Sequence, residues 1–174
     1  NPLNKQLMDD QLQHIINHAE YQVIIADPRL AHKLSAILEH CPGVRAVVFI
    51  GVGSLDAAIA TLPDGVAGYS YEALIDGHPS TFSWPVLPEK TAAVLCYSTG
   101  TTGAPKGVVY SHRSIYLHSM NLCTTDSFAV THGVPFLCCV PIYHVLSWGI
   151  PIAAFMCGAP LVFPGSDVSA PALA

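Results

Sequence analysis

Residues 97–107 read YSTGTTGAPKG and hold the densest chemistry in the chain. Four hydroxyls (Ser98, Thr99, Thr101, Thr102), three glycines (Gly100, Gly103, Gly107) and one cation (Lys106) fall within ten positions. Glycine admits close approach of the backbone to a ligand and tolerates positive φ. Successive backbone N–H groups in such a turn form an anion-binding concavity. Hydroxyls add donors, and a lysine supplies a point charge for phosphate. A polyphosphate needs this mixture of many donors, little bulk and one mobile cation. A flexible Ser/Gly linker is a poor reading, because apolar strand-like segments flank the loop tightly on both sides. A GxxxxGK[ST] loop is excluded: Gly100 and Gly103 are three apart, Ala104 and Pro105 precede Lys106, and Gly107 follows it. The residues behind the loop alternate as a strand, so a helix N-terminus cannot be its main anion trap.

A second group, His144-Val145-Leu146-Ser147-Trp148-Gly149, lies in an apolar run. Taken alone, its histidine reads as a hydrogen-bonded core residue. A flat indole beside a histidine can also wall an apolar tunnel while leaving one polar contact. Other candidates are weaker. His112-Arg113 reads as a helix start or a surface pair. His14 and His18 are four apart on one helix, a metal-ligand spacing, but no glutamate completes an HExxH. Tyr110, Tyr116 and Tyr143 read as packing residues. The six cysteines, Cys41, Cys96, Cys123, Cys138, Cys139 and Cys157, form no CxxC. They read as small hydrophobes. Zinc or a disulfide framework would need paired spacing that is absent, so the pattern fits a reducing compartment.

The elements that must hold these groups alternate. Leu12, Ile15, Ile16 and Ala19 fall on one face of a helix over 9–19, with Asp9 and Asp10 at its favourable N-terminal end. QVIIAD (22–27) is a short strand closed by Asp-Pro. Residues 29–40 return to helical spacing, and RAVVFIG (45–51) is a buried strand. This alternation predicts an α/β fold with a parallel sheet. Residues 61–90, broken by Pro63, Gly65, Gly68, Gly77 and Pro79, read as a surface connection with one helical turn at 71–75. TAAVLCYS (91–98) and GVVYSH (107–112) are strands on either side of the phosphate loop. RSIYLHSMNLC (113–123) is a helix with Ile115, His118 and Leu122 on one side. A buried strand lies within 135–145, a helix over 146–157 is interrupted near Gly149-Ile150-Pro151, and PLVFPG (160–165) is a final strand.

Composition bounds the partners. The chain has 174 residues, 51% of them apolar and 11% charged, with a net charge of −5; ordinary soluble domains carry about 25% charged residues. It is too apolar to be disordered, and with no basic cluster it is not a nucleic-acid binder. From Val134 to Phe163 there is no charged residue. Prolines 135, 141, 151 and 160 cut that run into short pieces, which suits buried strands and a core helix rather than a bilayer span. The polar first residues hold no signal peptide and look like a mid-chain start. So few charges predict an internal slice of a larger domain, with several of Phe136, Val140, Ile152, Phe155, Leu161 and Val162 abnormally exposed.

YSTGTTGAPKGVVYSHR resembles the signature of the adenylate-forming superfamily, which includes acyl-CoA synthetases, coumarate ligases, luciferases and peptide-synthetase adenylation domains. NPLNKQL…QLQHIINHAEYQVIIAD and VPIYHVLSWGIPIAAFMCGAPLVFPG resemble the flanking segments of bacterial medium- and long-chain fatty-acyl-CoA synthetases. The likeness covers nearly the whole chain and is weakest over 52–90. It implies that 1–174 is part of an N-terminal AMP-binding domain, with layered sheet and helices and the phosphate loop between two strands. It implies cytoplasmic fatty-acid activation with Mg²⁺ and ATP, through acyl-AMP and then CoA, and it leaves a homodimer open. Thr99, Gly100, Thr101, Thr102, Gly103 and Lys106 match the ATP phosphate-binding positions. Ser98 stands where some relatives carry a threonine that touches Mg²⁺, although it could equally close the turn by a local hydrogen bond. His144, Val145 and Trp148 match positions lining the carboxylate and acyl site, and Lys106 and His144 are the expected catalytic residues. Many relatives carry Asn where Leu146 stands, so a polar contact there is in doubt. Another adenylating ligase, for an aryl or amino acid, is the main alternative. A non-catalytic nucleotide- or acyl-binding module is the other, because the motifs for the Mg²⁺ glutamate, the ribose aspartate and the C-terminal lysine are not within 1–174. The 174-residue chain alone is expected to form no acyl-AMP. In a complete enzyme, Lys106→Ala should cost about 1.5–3 kcal/mol of transition-state stabilisation, the range for a lost charged hydrogen bond. Steady-state kinetics with ATP as the varied substrate check this, and an unchanged kcat/KM would show the loop to be misassigned.

Overall fold

A computed structural model of the chain describes residues 1–98, 103–165 and 169. The chain divides into two compact units. One is built from residues 5–85 and 99–105, the other from 1–4, 86–98 and 106–174.

The first unit is the α/β layering that the alternation predicts. Helix α1 (Asp9–His18) leads into β1 (Val23–Ala26). A 3₁₀ turn (Pro28–Leu30) then runs into α2 (Ala31–Leu38), followed by β2 (Ala46–Phe49). Helix α3 (Leu55–Ala60), β3 (Ala67–Ser70) and α4 (Tyr71–Ile75) complete it. The three strands form a parallel sheet in the order β1-β2-β3, with Val47 facing Ile24 on one side and Gly68 on the other. Central strand β2 is covered on both faces, so Val47, Val48 and Phe49 are all buried. This is why it reads as an unbroken apolar run rather than an alternating one. The predicted helix face of α1 is borne out: Leu12, Ile15 and Ile16 are buried. So are Ala31, Leu34, Ile37 and Leu38 on α2.

Within 61–90 the surface-connection reading needs correction. Strand β3 lies there and pairs with β2 along its whole length. Its glycine signalled a break, but Gly68 is there for space: a Cβ on it would lie 2.8 Å from two carbons of Ile59. Glycine in a strand often marks such a close approach. Helix α3 is too short to show a helical period in the sequence; it is six residues long, capped by Ser54, whose hydroxyl accepts from the Ala57 N–H.

The second unit is built on an antiparallel pair, β4 (Ala92–Ser98) and β5 (Lys106–Ser111), as read from the sequence. Helix α5 (His112–Leu122) follows at once, capped by Ser111 through the Ser114 N–H. Arg113 pairs with Glu89 at 2.5 Å, and its N–H donates to the Glu89 carbonyl, which ties the start of α5 to the approach to β4. The strand expected within 135–145 is only β6 (Phe136–Leu137), parallel to β7 (Leu161–Val162). Between them lies α6 (Ile150–Cys157). The core of this unit gathers Leu122, Val130, Cys138, Ile150, Ala153 and Ala154. Phe155 and Val162 stand exposed, and Phe136, Val140, Ile152 and Leu161 are partly so. The helix expected over 146–157 is likewise corrected. Its first residues turn the opposite way, and the right-handed helix begins only at Ile150. Among the described residues no helix is long and apolar enough to cross a membrane. All six cysteines are free; Cys41, Cys96 and Cys138 are buried and Cys139 is exposed.

Asp27, at the end of β1, accepts from the Arg29 N–H and pairs with its guanidinium at 2.5 Å. The side-chain hydrogen bond from Arg29, helped by the backbone one, lowers the carboxyl from its usual 3.8 to about 2. A depressed folded-state pKa contributes stability above the unfolded value and loses it as pH falls through the folded one. Asp27→Asn keeps a capping oxygen but loses the charge that pairs with Arg29, so it should lower stability slightly at neutral pH. The difference from wild type should close between pH 4 and pH 2. Urea unfolding at neutral pH and at pH 2 measures both.

Candidate functional site

The site grows from the β4–β5 ladder. Opposite residues of an antiparallel pair share a face, and successive residues alternate between faces. The register places Ser98 opposite Lys106, Cys96 opposite Val108 and Val94 opposite Tyr110. One face of this ribbon therefore runs from a hydroxyl and a cation at the loop end to a thiol and a phenol further in. At about 3.3 Å per residue, Ser98 and Cys96 sit roughly 7 Å apart along the strand. Ser98 Oγ lies 3.5 Å from the Lys106 carbonyl, so its local hydrogen bond across the hairpin is long, and both residues are exposed. Gly107 lies on the opposite face, paired with Tyr97. A Cβ there would come within 3.1 Å of Leu95 Cδ1 and 3.3 Å of the Tyr97 ring, which accounts for glycine at that position.

The loop between the strands carries the remaining candidate phosphate contacts. Thr99, Gly100, Thr101 and Thr102 lie outside the described residues. Gly103 is exposed with φ +126°, and nothing lies within 4 Å of a Cβ built on it. Conformation rather than crowding calls for glycine here.

Inward from Ser98 and Lys106, the same unit holds a cavity of about 290 Å³. Cys96 and Tyr110 come from the ribbon, Ser114, Ile115 and His118 from α5, Val145, Leu146 and Gly149 from the turn before α6, and Ile152 from α6. Its size lies at the lower end of the ~300–1,000 Å³ usual for small-molecule sites. Its lining is mostly apolar with a few polar atoms, the usual character of such sites. Burial raises the Cys96 thiol pKa, while the Leu146 backbone N–H works against that rise. At neutral pH Cys96 is therefore a neutral wall group rather than a thiolate nucleophile.

Of the second sequence group, Val145 reaches the cavity and His144 and Trp148 do not line it. His144 is exposed and packs against the Tyr143 ring at 4.7 Å. Trp148 is half-exposed, with Phe128 at 6.3 Å. Tyr110, which reads as a packing residue, lines the cavity, and Leu146, where a polar contact is in doubt, lines it with an apolar side chain. Ile115 and His118 were legible as one helix face. Cys96 could have been found from strand alternation two residues before Ser98.

The conformation of the 145–149 segment is the unexpected feature. Val145, Leu146, Ser147 and Trp148 have φ of +46°, +56°, +54° and +56°, and Gly149 has +78°. This is a left-handed turn built from four residues with side chains, each costing about 1–2 kcal/mol relative to the right-handed form. Glycine alone takes it freely. The turn is closed by Trp148 N–H to the His144 carbonyl and Gly149 N–H to the Leu146 carbonyl, both at 3.1 Å. From α5, His118 Nε2 lies 2.9 Å from the Trp148 carbonyl, and as that oxygen can only accept, the ring nitrogen is the donor. Gly149→Ala should lose about 2 kcal/mol, because its Cβ would fall 2.8 Å from His118 Cδ2 at a φ that disfavours alanine. Thermal unfolding compared with a control substitution on exposed β5 tests this.

Comparisons with known proteins bear on the family and the fold. The sequence profile of the AMP-binding enzyme family matches residues 1–174. A medium-chain-fatty-acid–CoA ligase of Ectopseudomonas oleovorans is 39% identical over 94% of this chain and 29% of its own length. A 3-methylmercaptopropionyl-CoA ligase of Ruegeria lacuscaerulensis is 38% identical over 98% of this chain and 31% of its own. The chain thus spans less than a third of the curated relatives it matches. Among solved structures, a long-chain-fatty-acid-CoA ligase of Archaeoglobus fulgidus aligns with a TM-score of 0.75 at 24% identity, over 93% of this chain and 29% of that one. An anthranilate CoA ligase bound to anthranoyl-AMP aligns at 0.74 and 22%, over 94% of this chain and 30% of that one. These two show that the fold is that of the adenylate-forming ligases. With a profile matching from end to end and two ligases near 40% identity over almost all of it, the chain belongs to the AMP-binding enzyme family.

Proposed function

We propose that this chain is the phosphate-loop and acid-binding part of an ATP-dependent fatty-acid–CoA ligase. One observation carries the reading: Ser98 and Lys106 share a ribbon face with Cys96 and Tyr110, so a polyphosphate grip continues into a mostly apolar cavity. A reaction joining a carboxylate to a nucleotide needs that juxtaposition, with the carboxyl group at the boundary and the acyl tail inward. In the first step a carboxylate oxygen attacks the α-phosphorus of ATP. The bond from that phosphorus to the bridging oxygen breaks, and pyrophosphate leaves. In the second the CoA sulfur attacks the acyl carbonyl carbon, AMP departs with the carboxyl oxygen, and the thiol proton is released.

The residues of this chain act by position and charge. Lys106 faces the departing pyrophosphate and neutralises part of its charge, a contribution made in advance of the reaction. By residue type, the glycines and hydroxyls of 98–103 offer further donors for phosphate oxygens. Val145, Leu146, Ile115 and Ile152 keep water from the acyl tail. Among the described residues no three His, Cys, Asp or Glu side chains gather as a metal site. The Ser98 hydroxyl, with only a long local bond, fits the role of one neutral ligand to a Mg²⁺ carried mainly by phosphate oxygens. Bound there, the metal would share the pyrophosphate charge.

A second reading, a short sulfur-bearing acid, is favoured by the small cavity and by the near-equal likeness to 3-methylmercaptopropionyl-CoA ligases. Pyrophosphate release by the complete enzyme, measured with octanoate, palmitate, 3-(methylthio)propanoate, benzoate and free amino acids, separates them. Fastest turnover with octanoate or palmitate is expected. Preference for the thioether acid selects the second reading, and preference for an aryl or amino acid overturns both.

A further inference from the structure

The left-handed turn of residues 145–149 needs a restraint that its own sequence does not supply, because four of its five residues carry a Cβ. Such conformations persist only where the surroundings over-determine them, and they cluster at functional sites. The restraint is visible one residue from the cavity wall. Ser147 is fully buried, and its Oγ donates to the Val140 carbonyl at 2.6 Å. The same oxygen lies 2.8 Å from Cys138 Sγ. A serine has one hydrogen to give, and Val140 takes it, so the Cys138 thiol is the donor of the second contact. Cys138 belongs to the core of its unit, next to β6. The chain Cys138–Ser147–Val140 thus fastens the middle of the turn to the core. On either side of that anchor, Leu146 and Gly149 line the cavity, and Val145 extends its wall.

We propose that Ser147 is a positioning residue for acid binding. Its hydroxyl holds the strained turn that sets Val145 and Leu146 against the acyl tail, without touching the substrate itself. The proposal rests on the acyl-CoA ligase reading for its kinetic consequence and on geometry alone for its structural one.

The test uses Ser147→Ala and Ser147→Gly in the complete enzyme. Both remove the hydroxyl, but only glycine relieves the backbone cost of positive φ. With Ser147→Ala the KM for the acid should rise about tenfold while the KM for ATP stays near wild type. Ser147→Gly should recover most of that loss. Independently of activity, brief alkylation mapped by peptide mass spectrometry compares neighbouring thiols. Exposed Cys139 should react in every form. Buried Cys138 should be protected in wild type and Ser147→Gly and should react in Ser147→Ala. Equal behaviour of the two variants, an unchanged acid KM in Ser147→Ala, or parallel changes in the KM of acid and ATP would overturn the proposal. Absence of acid-dependent pyrophosphate release in wild type would overturn the ligase reading instead, and the alkylation pattern would still decide whether Ser147 holds the turn.

Discussion

The backbone ladder between β4 and β5 is the interaction on which the site depends. In the proposed ligase, a chain with few charges would grip a highly charged polyphosphate and, close by, shelter an apolar tail. A helix would spread the corresponding side chains around its axis. An antiparallel ribbon keeps them in one line, because its pleat returns every second residue to the same side. Pairing Ser98 with Lys106 and Cys96 with Val108 fixes where polarity ends and the cavity begins. Helix α5 then needs no linker. Ser111 ends the second strand and caps the helix, so Ile115 and His118 close over the ribbon.

Much of this was legible because it is local. The glycine, hydroxyl and lysine spacing of 98–107 is the basis of the proposed phosphate grip, and the apolar runs on either side state that it joins strands. The faces of α1, α2 and α5 follow from helical period. What escaped has a non-local cause. Strand β3 is only four residues long and contains Gly68, which reads as a breaker until Ile59 of α3 is seen pressing on it. The left-handed turn is less legible still. Only Gly149 hints at positive φ. The groups that hold the other four residues, Cys138, Val140 and His118, lie up to 30 positions away in sequence.

The charge-free stretch from Val134 to Phe163 gains a specific meaning from the structure. It is a short parallel pair, β6 and β7, with the strained turn and α6 between them. Polar contacts inside it are few and consequential. A buried hydroxyl, a thiol and backbone carbonyls replace the charged pairs that a more polar segment would use, which avoids the desolvation cost of burying ions. Cysteine serves here as more than a small apolar filler. Cys138 is both a core residue and a hydrogen-bond donor.

Strand alternation also determines where the chain can change length. A residue gained or lost in the loop between Ser98 and Lys106 would alter the reach of the proposed phosphate grip but leave Cys96 and Tyr110 on their face. A single residue inserted between Cys96 and Ser98 would turn the hydroxyl to the opposite side of the ribbon, because the side-chain period is two. It would separate the grip from the cavity without removing any functional residue. Variation in loop length is thus a means of tuning the site, whereas an insertion in β4 disconnects it.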